Sequence, residues 1–574
     1  MQQAPARLSI VALCAMIGMV VPLLPGTAFA QNTNEQDDRG FKRDFSARSG
    51  WIFVRRSGGG DLQVEKKPGP PTLTTAAEKC IDPDPKIRVG GCSQLLTWHK
   101  SKLSNPYVVY IARARAYAQS GHPKLALVDY GRAAKLNPRA VGIYINRGRV
   151  FRTLGKYRHA MADYTRALRM TPAAARLPDI RQARLYNDRA VVFGLLGKQA
   201  KALNDLNRAL RLYPGYAVAY NNRGRLYRQL GKLDQAIADY TRAIALKPDL
   251  AVAYNNRAVI LIKLKRYDAA DTDLETAIKL STKDDATRAR ALANRGMALL
   301  ALKKPKEALT NFTLALKLSR TVAATYHGRG LAYLALKRRW AAYRDFSAAV
   351  RLNPKLAASW ERRGVVLYDL RRYRQAIANF NRVLRLKPNH FKAFNNRGIT
   401  YVQLRQWNKA IADLTRAIKL KPGFAAGYFN RGIVYSAAGK HRKAIADFTR
   451  EIGLNPDASE SFVRRSMARC RIKDSQLGLA DANRAILIGA TADGHAARAC
   501  NRLLAGKKEE ALEDYEAALK LSPRHPKASV WRVTLAKLSD APAAGDADKK
   551  ADPAGIVRGS RHSRRGKRRR SRRR

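Results

Sequence analysis

Acid is scarce in this sequence. Of 574 residues, 44 are Asp or Glu against 110 Lys or Arg, for a formal net charge of +66 at pH 7. Such a field makes polyanions the default attraction. Cysteine is scarce too: five in all, of which only Cys80, Cys92, Cys470 and Cys500 lie beyond residue 30. None has a CxxC or Cys/His spacing, which excludes a thiolate metal site of the usual kind. Long apolar runs are limited to one, Leu8–Leu24. HExxH, GxSxG, Walker A and Rossmann glycine patterns are all missing, and the nine histidines are scattered, so an enzyme finds no support and no cofactor or metal is expected.

The single apolar run follows Arg7 and ends in the small-x-small triplet Ala28-Phe29-Ala30. It reads as a secretory signal peptide over residues 1–30, cleaved before Gln31. The alternative is an uncleaved anchor, against which stand Pro22, Pro25 and the cleavage-like end. After cleavage no segment is apolar for long enough to span a bilayer. A periplasmic or secreted protein is the expectation. Four cysteines in an exported chain are disulfide candidates, and proximity favours Cys80 with Cys92 and Cys470 with Cys500. Buried or free thiols are the other reading.

What the sequence does have is a period. AVAYNNRGRLYRQLGKLDQAIADYTRAIALKP, Ala217 to Pro248, meets AVAYNNRAVILIKLKRYDAADTDLETAIKLS 34 residues later. Gly224 is answered by Gly296, Gly330, Gly364, Gly398 and Gly432, and Pro248 by Pro354, Pro388, Pro422 and Pro456. A sustained 34-residue period marks a helical solenoid, in which each repeat contacts only its neighbours. Tyr220, Gly224, Tyr227, Gly231, Ala236, Tyr240, Ala243 and Pro248 together resemble the tetratricopeptide repeat (TPR). That resemblance implies an all-α, right-handed α-solenoid of about twelve helix pairs. It further implies that the first helix of each pair lines a concave face binding an extended peptide or a partner's helix.

The organisation expected is a flexible linker over 31–75, with a short extended stretch at Trp51-Ile52-Phe53-Val54, and then an N-terminal cap over 76–104 tied by Cys80 and Cys92. The TPR array follows over 105–524, a capping helix over 525–539 and a disordered basic tail over 540–574. Asp249, Asn389 and Asp457 follow the helix-ending prolines and read as N-caps. Gly121, Gly155, Gly197, Gly231 and Gly439 suit a left-handed turn between paired helices, a place taken in the middle repeats by Lys265, Lys303, Lys337, Arg371 and Arg405. Insertions near Ala174–Gln182 and Lys283–Arg290 should lengthen helices or loops. The repeat Ser459–Ala490 is degenerate, with Gly478 and Ala482 where Ala and an aromatic are usual.

Three sets of residues recur on the first helices. Asn146, Asn222, Asn256, Asn294, Asn396 and Asn430 hold one place and look like the asparagine ladder in the TPR region of the O-linked N-acetylglucosamine transferases. An amide offers donor and acceptor together, suiting a peptide backbone; the other reading is that each only bridges neighbouring helices. Gly328 and Arg362 interrupt the series. The next residue is Arg147, Arg223, Arg257, Arg295, Arg329, Arg363, Arg397 or Arg431, and Asp163, Asp205, Asp239, Asp345, Asp413 and Asp447 match them on the second helices. A structural ion-pair ladder is the better reading. The third set forms the expected groove floor. It is basic early, at Arg115, Arg149, Arg152, Arg225 and Arg228. Later it is apolar, at Val259, Ile262, Met297, Leu300, Leu331, Leu334, Val365, Tyr368, Ile399, Val402 and Ile433. Such a stripe marks a protein-binding surface if exposed, and helix packing if not.

The tail, Arg558 to Arg574, carries eleven Lys or Arg, among them Arg564, Arg565, Lys567, Arg568, Arg569 and Arg570. Its charge density forbids a core and suits non-specific polyanion binding. The expectation is a non-enzymatic scaffold of the cell envelope that binds a protein or peptide in its groove, its tail meeting an anionic surface. The alternative is a secreted nucleic-acid or polyanion binder, or a host-directed effector, acting through the tail.

Overall fold

The computed structural model describes residues 53–56, 62–65, 73–100, 103–170 and 179–539. The stretches read as a signal peptide and a basic tail, and most of the expected linker, therefore lie outside the described residues. Within the linker, Phe53–Arg56 pairs antiparallel with Leu62–Glu65, Val54 opposite Val64. Two strands thus stand where a flexible segment was expected, and Phe53 and Val54 are in the first of them.

The cap is a helix pair, Leu73–Ile81 and Pro85–Trp98, starting three residues earlier than Ala76. Pro85 sits in the first turn of the second helix, where a missing N–H leaves no bond unmade, and the Asp84 carboxylate accepts from the Lys86 N–H at 2.7 Å. Ala76, Cys80, Cys92 and Leu95 form its small core, and Cys80 and Cys92 are joined by a disulfide.

Twelve helix pairs follow, from Pro106–Gln119 to Lys508–Leu521, and then the single helix Ala528–Ser539. The chain divides after Ser359 into two units, each a stack of such pairs. Ala217–Gln229 and Leu233–Leu246 show why the sequence folds this way. On the second helix Ala236, Asp239, Tyr240 and Ala243 are buried, a stripe with helical spacing. On the first, Gly224 meets the Tyr240 ring, while Ala219 and Leu226 pack back onto Leu206 and Ala209 of the preceding pair. A Cβ on Gly224 would lie 2.9 Å from Cε1 of Tyr240, so glycine there is what lets the ring seat. Helices this short are marginal alone, and the stacking holds them.

Between paired helices the chain turns through one left-handed residue. It is glycine at Gly121, Gly155, Gly197, Gly231, Gly439 and Gly506, with φ between 71° and 79°, and a cation at Lys265, Lys303, Lys337, Arg371, Arg405 and Lys473, with φ between 56° and 64°. Each non-glycine residue there costs about 1 kcal/mol, partly offset by placing a cation at a helix C-terminus. Asp249, Asn389 and Asp457 are not the N-caps. The following residues Leu250, His390 and Ala458 hold that place, because the helices begin one residue later than the acids allow. The insertions lengthen first helices: Asp179–Leu195 and Asp285–Ala301 have 17 residues each.

In the second unit, Asn501 packs onto Gly478 and donates to the Ser466 hydroxyl at 3.0 Å, filling the degenerate repeat. Cys470 and Cys500, on consecutive first helices, are disulfide-bonded. One buried acid is only partly compensated. Glu451 is 5% exposed and its Oε2 has no hydrogen-bond partner in the protein. Burial pushes its pKa up, against hydrogen bonds from Ser461 and Asn455. A carboxyl with a raised folded pKa binds its proton more tightly when folded. Its contribution to stability therefore rises as pH falls through that value and is lost above it. Glu451→Gln is expected to stabilise the fold near neutral pH by about 1 kcal/mol and to abolish this gain on acidification. Urea unfolding of both forms at pH 7 and pH 5 checks it; an unchanged midpoint at pH 7 refutes it.

The inner face of the first helices as a candidate interaction site

Within each unit successive first helices touch, as Ala251–Lys263 touches Asp285–Ala301 and Ser459–Arg471 touches Ala492–Leu504, whereas successive second helices do not come comparably close. The first helices therefore line the inner side of each stack, where the candidate residues lie.

The arginine series is bound into the framework. Nε and an Nη of Arg223 donate to the two carboxylate oxygens of Asp239 at 2.8 and 2.7 Å. The remaining Nη donates to Asn207 of the preceding repeat at 2.9 Å, and Tyr220 and Tyr227 flank the guanidinium at 5.3 and 5.8 Å. One residue thus joins three helices, using the planar fork that lysine lacks. The same two-pronged pairing recurs at Arg147–Asp163, Arg257–Asp273, Arg329–Asp345, Arg397–Asp413 and Arg431–Asp447. Sequence reading missed Arg113–Asp129, Arg465–Asp481 and Arg498–Asp514, and named Asp205 without its partner Arg189, although all share the 16-residue spacing. Two members deviate for a visible reason. With Asn311 sixteen residues on, Arg295 turns back to Asp271 and Glu275; Arg363, with Asn379 sixteen residues on, donates to the amide oxygen at 2.7 Å. The bond to its carboxylate, opposed by burial, holds the Arg223 guanidinium above its ordinary pKa.

The asparagine amides are largely taken up by one another. Asn222 donates to Asn187 at 2.8 Å, Asn256 to Asn221, Asn294 to Asn255 and Asn430 to Asn395, each of the last three at 2.9 Å. Asn256 and Asn294 are buried with their amides spent on the preceding first helix; of the two readings, these two follow the helix-bridging one. Asn396 accepts from Asn395 at 3.3 Å, and Asn146 is partly buried. The paired NN dipeptides at 221–222, 255–256 and 395–396 were the overlooked signal.

The floor divides as well. Val259 is 3% exposed and does not belong to an open groove, because the first helices Ala251–Lys263 and Asp285–Ala301 close together there. Ile262, Leu331, Val365 and Tyr368 are partly open. Ile262 and Leu331 pack one side against core clusters, and Tyr368 Oη accepts from Gln403 at 3.2 Å. Arg149 is exposed and pairs with Asp188 at 3.0 Å. Arg225 is partly buried with no carboxylate partner among the described residues, and burial holds its guanidinium below the ordinary value.

Tetratricopeptide repeat family models match residues 111–175, 217–250, 249–321, 327–391, 369–426 and 495–525. The chain belongs to the tetratricopeptide repeat family. This TPR chain is similar in structure to Cut9 in the APC/C hetero-tetramer Cut9–Hcn1, at 15% identity over 81% of this chain and 95% of that one, with a TM-score of 0.42. A TPR protein from Parabacteroides merdae is 22% identical over 46% of this chain and 98% of its own, with a TM-score of 0.36. Yeast Tom70 is 15% identical over 75% and 95%, with a TM-score of 0.31. No curated protein matches the sequence.

Outside the inner face, an open cleft of about 650 Å³ in the second unit is lined by Asn381, Leu384, Arg385, Pro388, Phe394 and Arg397. Its Arg397 is already committed to Asp413 and Asn381, so it offers a ligand little polar chemistry. Among the described residues no helix is long and apolar enough to cross a membrane.

Proposed function

We propose that this TPR chain is a non-enzymatic scaffold of the cell envelope, periplasmic or secreted, that holds a protein or peptide partner along the inner face of its first helices. TPR chains are protein-interaction scaffolds, and the observation that carries the reading here is the state of that face. The arginine ladder and the buried amides are bound internally, while Ile262 and Leu331 keep an open side. Internal bonding makes the wall rigid, and partly open apolar groups on a rigid wall are what a partner's side chains need. The envelope placement draws on the apolar first thirty residues and on two disulfides, which persist in oxidising compartments. The Arg564–Arg570 stretch would add non-specific attachment to anionic surfaces.

The test is capture of partners by the full chain at moderate salt, comparing Ile262→Glu/Leu331→Glu with Leu314→Glu, which alters an exposed leucine of a second helix. The inner-face pair is expected to lose the partner by at least about tenfold, as a charge introduced into an apolar contact does, and Leu314→Glu to keep it. Equal retention by both would refute the inner face as the binding surface.

A further inference from the structure

We propose that the inner face of the N-terminal unit receives the carboxylates of an acidic polypeptide segment, at a site formed by Arg225, Arg228 and the buried hydroxyl of Tyr240, with Arg152 and Arg290 beside it. The inference rests on the scaffold reading and names its partner's chemistry. Arg225 and Arg228 follow Gly224 by one and four residues on Ala217–Gln229, and the Tyr240 ring packs on Gly224. Tyr240 is wholly buried, and its hydroxyl makes no hydrogen bond within the protein. Burial pushes its pKa up to about 12, so it stays a donor at any working pH; Arg228 and Arg225 act on it against that rise, and Asp239, itself bound to Arg223, adds to it.

Arg225 and Arg228 differ from the ladder arginines in lacking an acid among the described residues. The charges acting on Arg225 are those of Arg228, Arg152 and Arg290, all of its own sign. The chain itself shows what such a pair takes. Arg149 and Arg152 hold the same places after Gly148, and the next first helix brings Asp188 against them, at 3.0 and 3.8 Å. One repeat beyond Arg225 and Arg228, the place equivalent to Asp188 is Asn256, an amide already donating to Asn221. The acid satisfied internally in one repeat is left to be supplied from outside in the other.

Within the N-terminal unit the hydroxyl follows the arginines. Tyr130 lies near Arg115 and Arg149, Tyr164 near Arg152 and Arg149, and Tyr240 near Arg228 and Arg225. Where the floor becomes Met297 and Leu331, the aromatic packed on Gly296 and Gly330 is Phe312 and Phe346. Packing alone therefore does not require the oxygen. A guanidinium fork with a hydroxyl donor suits an oxyanion. The Asp188 precedent, and the apolar floor of the same unit at Ile262 and Leu331, favour a polypeptide's carboxylate over a nucleic-acid phosphate.

The test is fluorescence anisotropy of labelled hexaglutamate on the full chain at about 0.15 M salt, where loose charge attraction is screened. Arg225→Gln/Arg228→Gln is compared with Arg208→Gln/Arg242→Gln, which removes equal charge from exposed second-helix positions. The first pair is expected to weaken binding by about tenfold more than the second. Tyr240→Phe, with no change of charge, should weaken it by about threefold at an unchanged or higher thermal midpoint, since phenylalanine already holds the equivalent place at Phe312 and Phe346. A phosphoserine hexapeptide and a single-stranded RNA hexamer are run alongside. Preference for the RNA overturns the inference, as does equal loss in the two arginine pairs. So does failure of hexaglutamate to bind; if Ile262→Glu/Leu331→Glu still releases a captured partner, that failure leaves the scaffold reading standing.

Discussion

Asp239→Ala should destabilise the N-terminal unit by about 3 kcal/mol, the lower end of the range for breaking a buried ion pair. The carboxylate side chain is 7% exposed and that of Arg223 is 21% exposed. Its loss strands a guanidinium still held between Tyr220 and Tyr227, while partial exposure lets water recover some of the penalty. Asp239→Asn should cost less, about 1–2 kcal/mol, because an amide oxygen still accepts; Arg363 on Asn379 at 2.7 Å is that arrangement in the chain itself. The double variant with Arg223→Ala should lose less than the sum of the two singles. Urea unfolding, with hydrogen exchange read on Ala217–Gln229 and Leu233–Leu246, measures all three. Loss should centre on those helices and their neighbours, because stability in such stacks is a sum of local and nearest-neighbour parts. A change below about 0.5 kcal/mol would place the pair among ordinary surface substitutions and remove the ladder from the account of stability.

Phe346→Ala should cost about 3–5 kcal/mol, as large-to-small changes of buried aromatics do. The ring has no exposure, lies against Gly330 and stands 5.4 Å from the His327 ring. Gly330 has no side chain to move into the space, so the cavity persists. Phe346→Leu is expected to cost only about 1 kcal/mol, because Leu414 fills the equivalent space beside Gly398. Thermal unfolding of the two variants separates the readings: equal losses would mean that the ring's shape, not its volume, is what the repeat needs.

The period and the left-handed cations were legible in the sequence because each depends on one repeat alone. Lys265 needs only its own turn. Legibility failed where a residue answers to a neighbour. Asn256 was read as either a peptide ligand or a bridge between helices, and its partner Asn221, 35 residues away at one period plus one, went unnamed. Val259 was placed on an open floor, and only the approach of two first helices buries it. Arg295 was grouped with its series, and the acid it finds sits in the preceding repeat because Asn311 cannot supply a charge. The hydroxyls of the tyrosines opposite Arg149 and Arg225 went unremarked because a buried aromatic explains itself as packing until its oxygen is seen to lack a partner.

The constant offsets of the couplings have a hereditary consequence. Arg223 reaches Asp239 at 16 residues and Asn256 reaches Asn221 at 35. If gene copies mispaired by one unit and Ala217–Leu250 were lost, Asn256 would arrive opposite Asn187 and Arg257 beside Asn207, partners that Asn222 and Arg223 already use. Recombination at such joints alters the length of the array without asking any side chain to learn a new contact. The stretch holding Arg295, Asn311 and Gly328 has no such interchangeability, since Arg295 is tuned to Asp271 and Gly328 to the ring of Phe312. Slippage there would join mismatched neighbours, so the lineage is free to lengthen or shorten around that stretch but not through it.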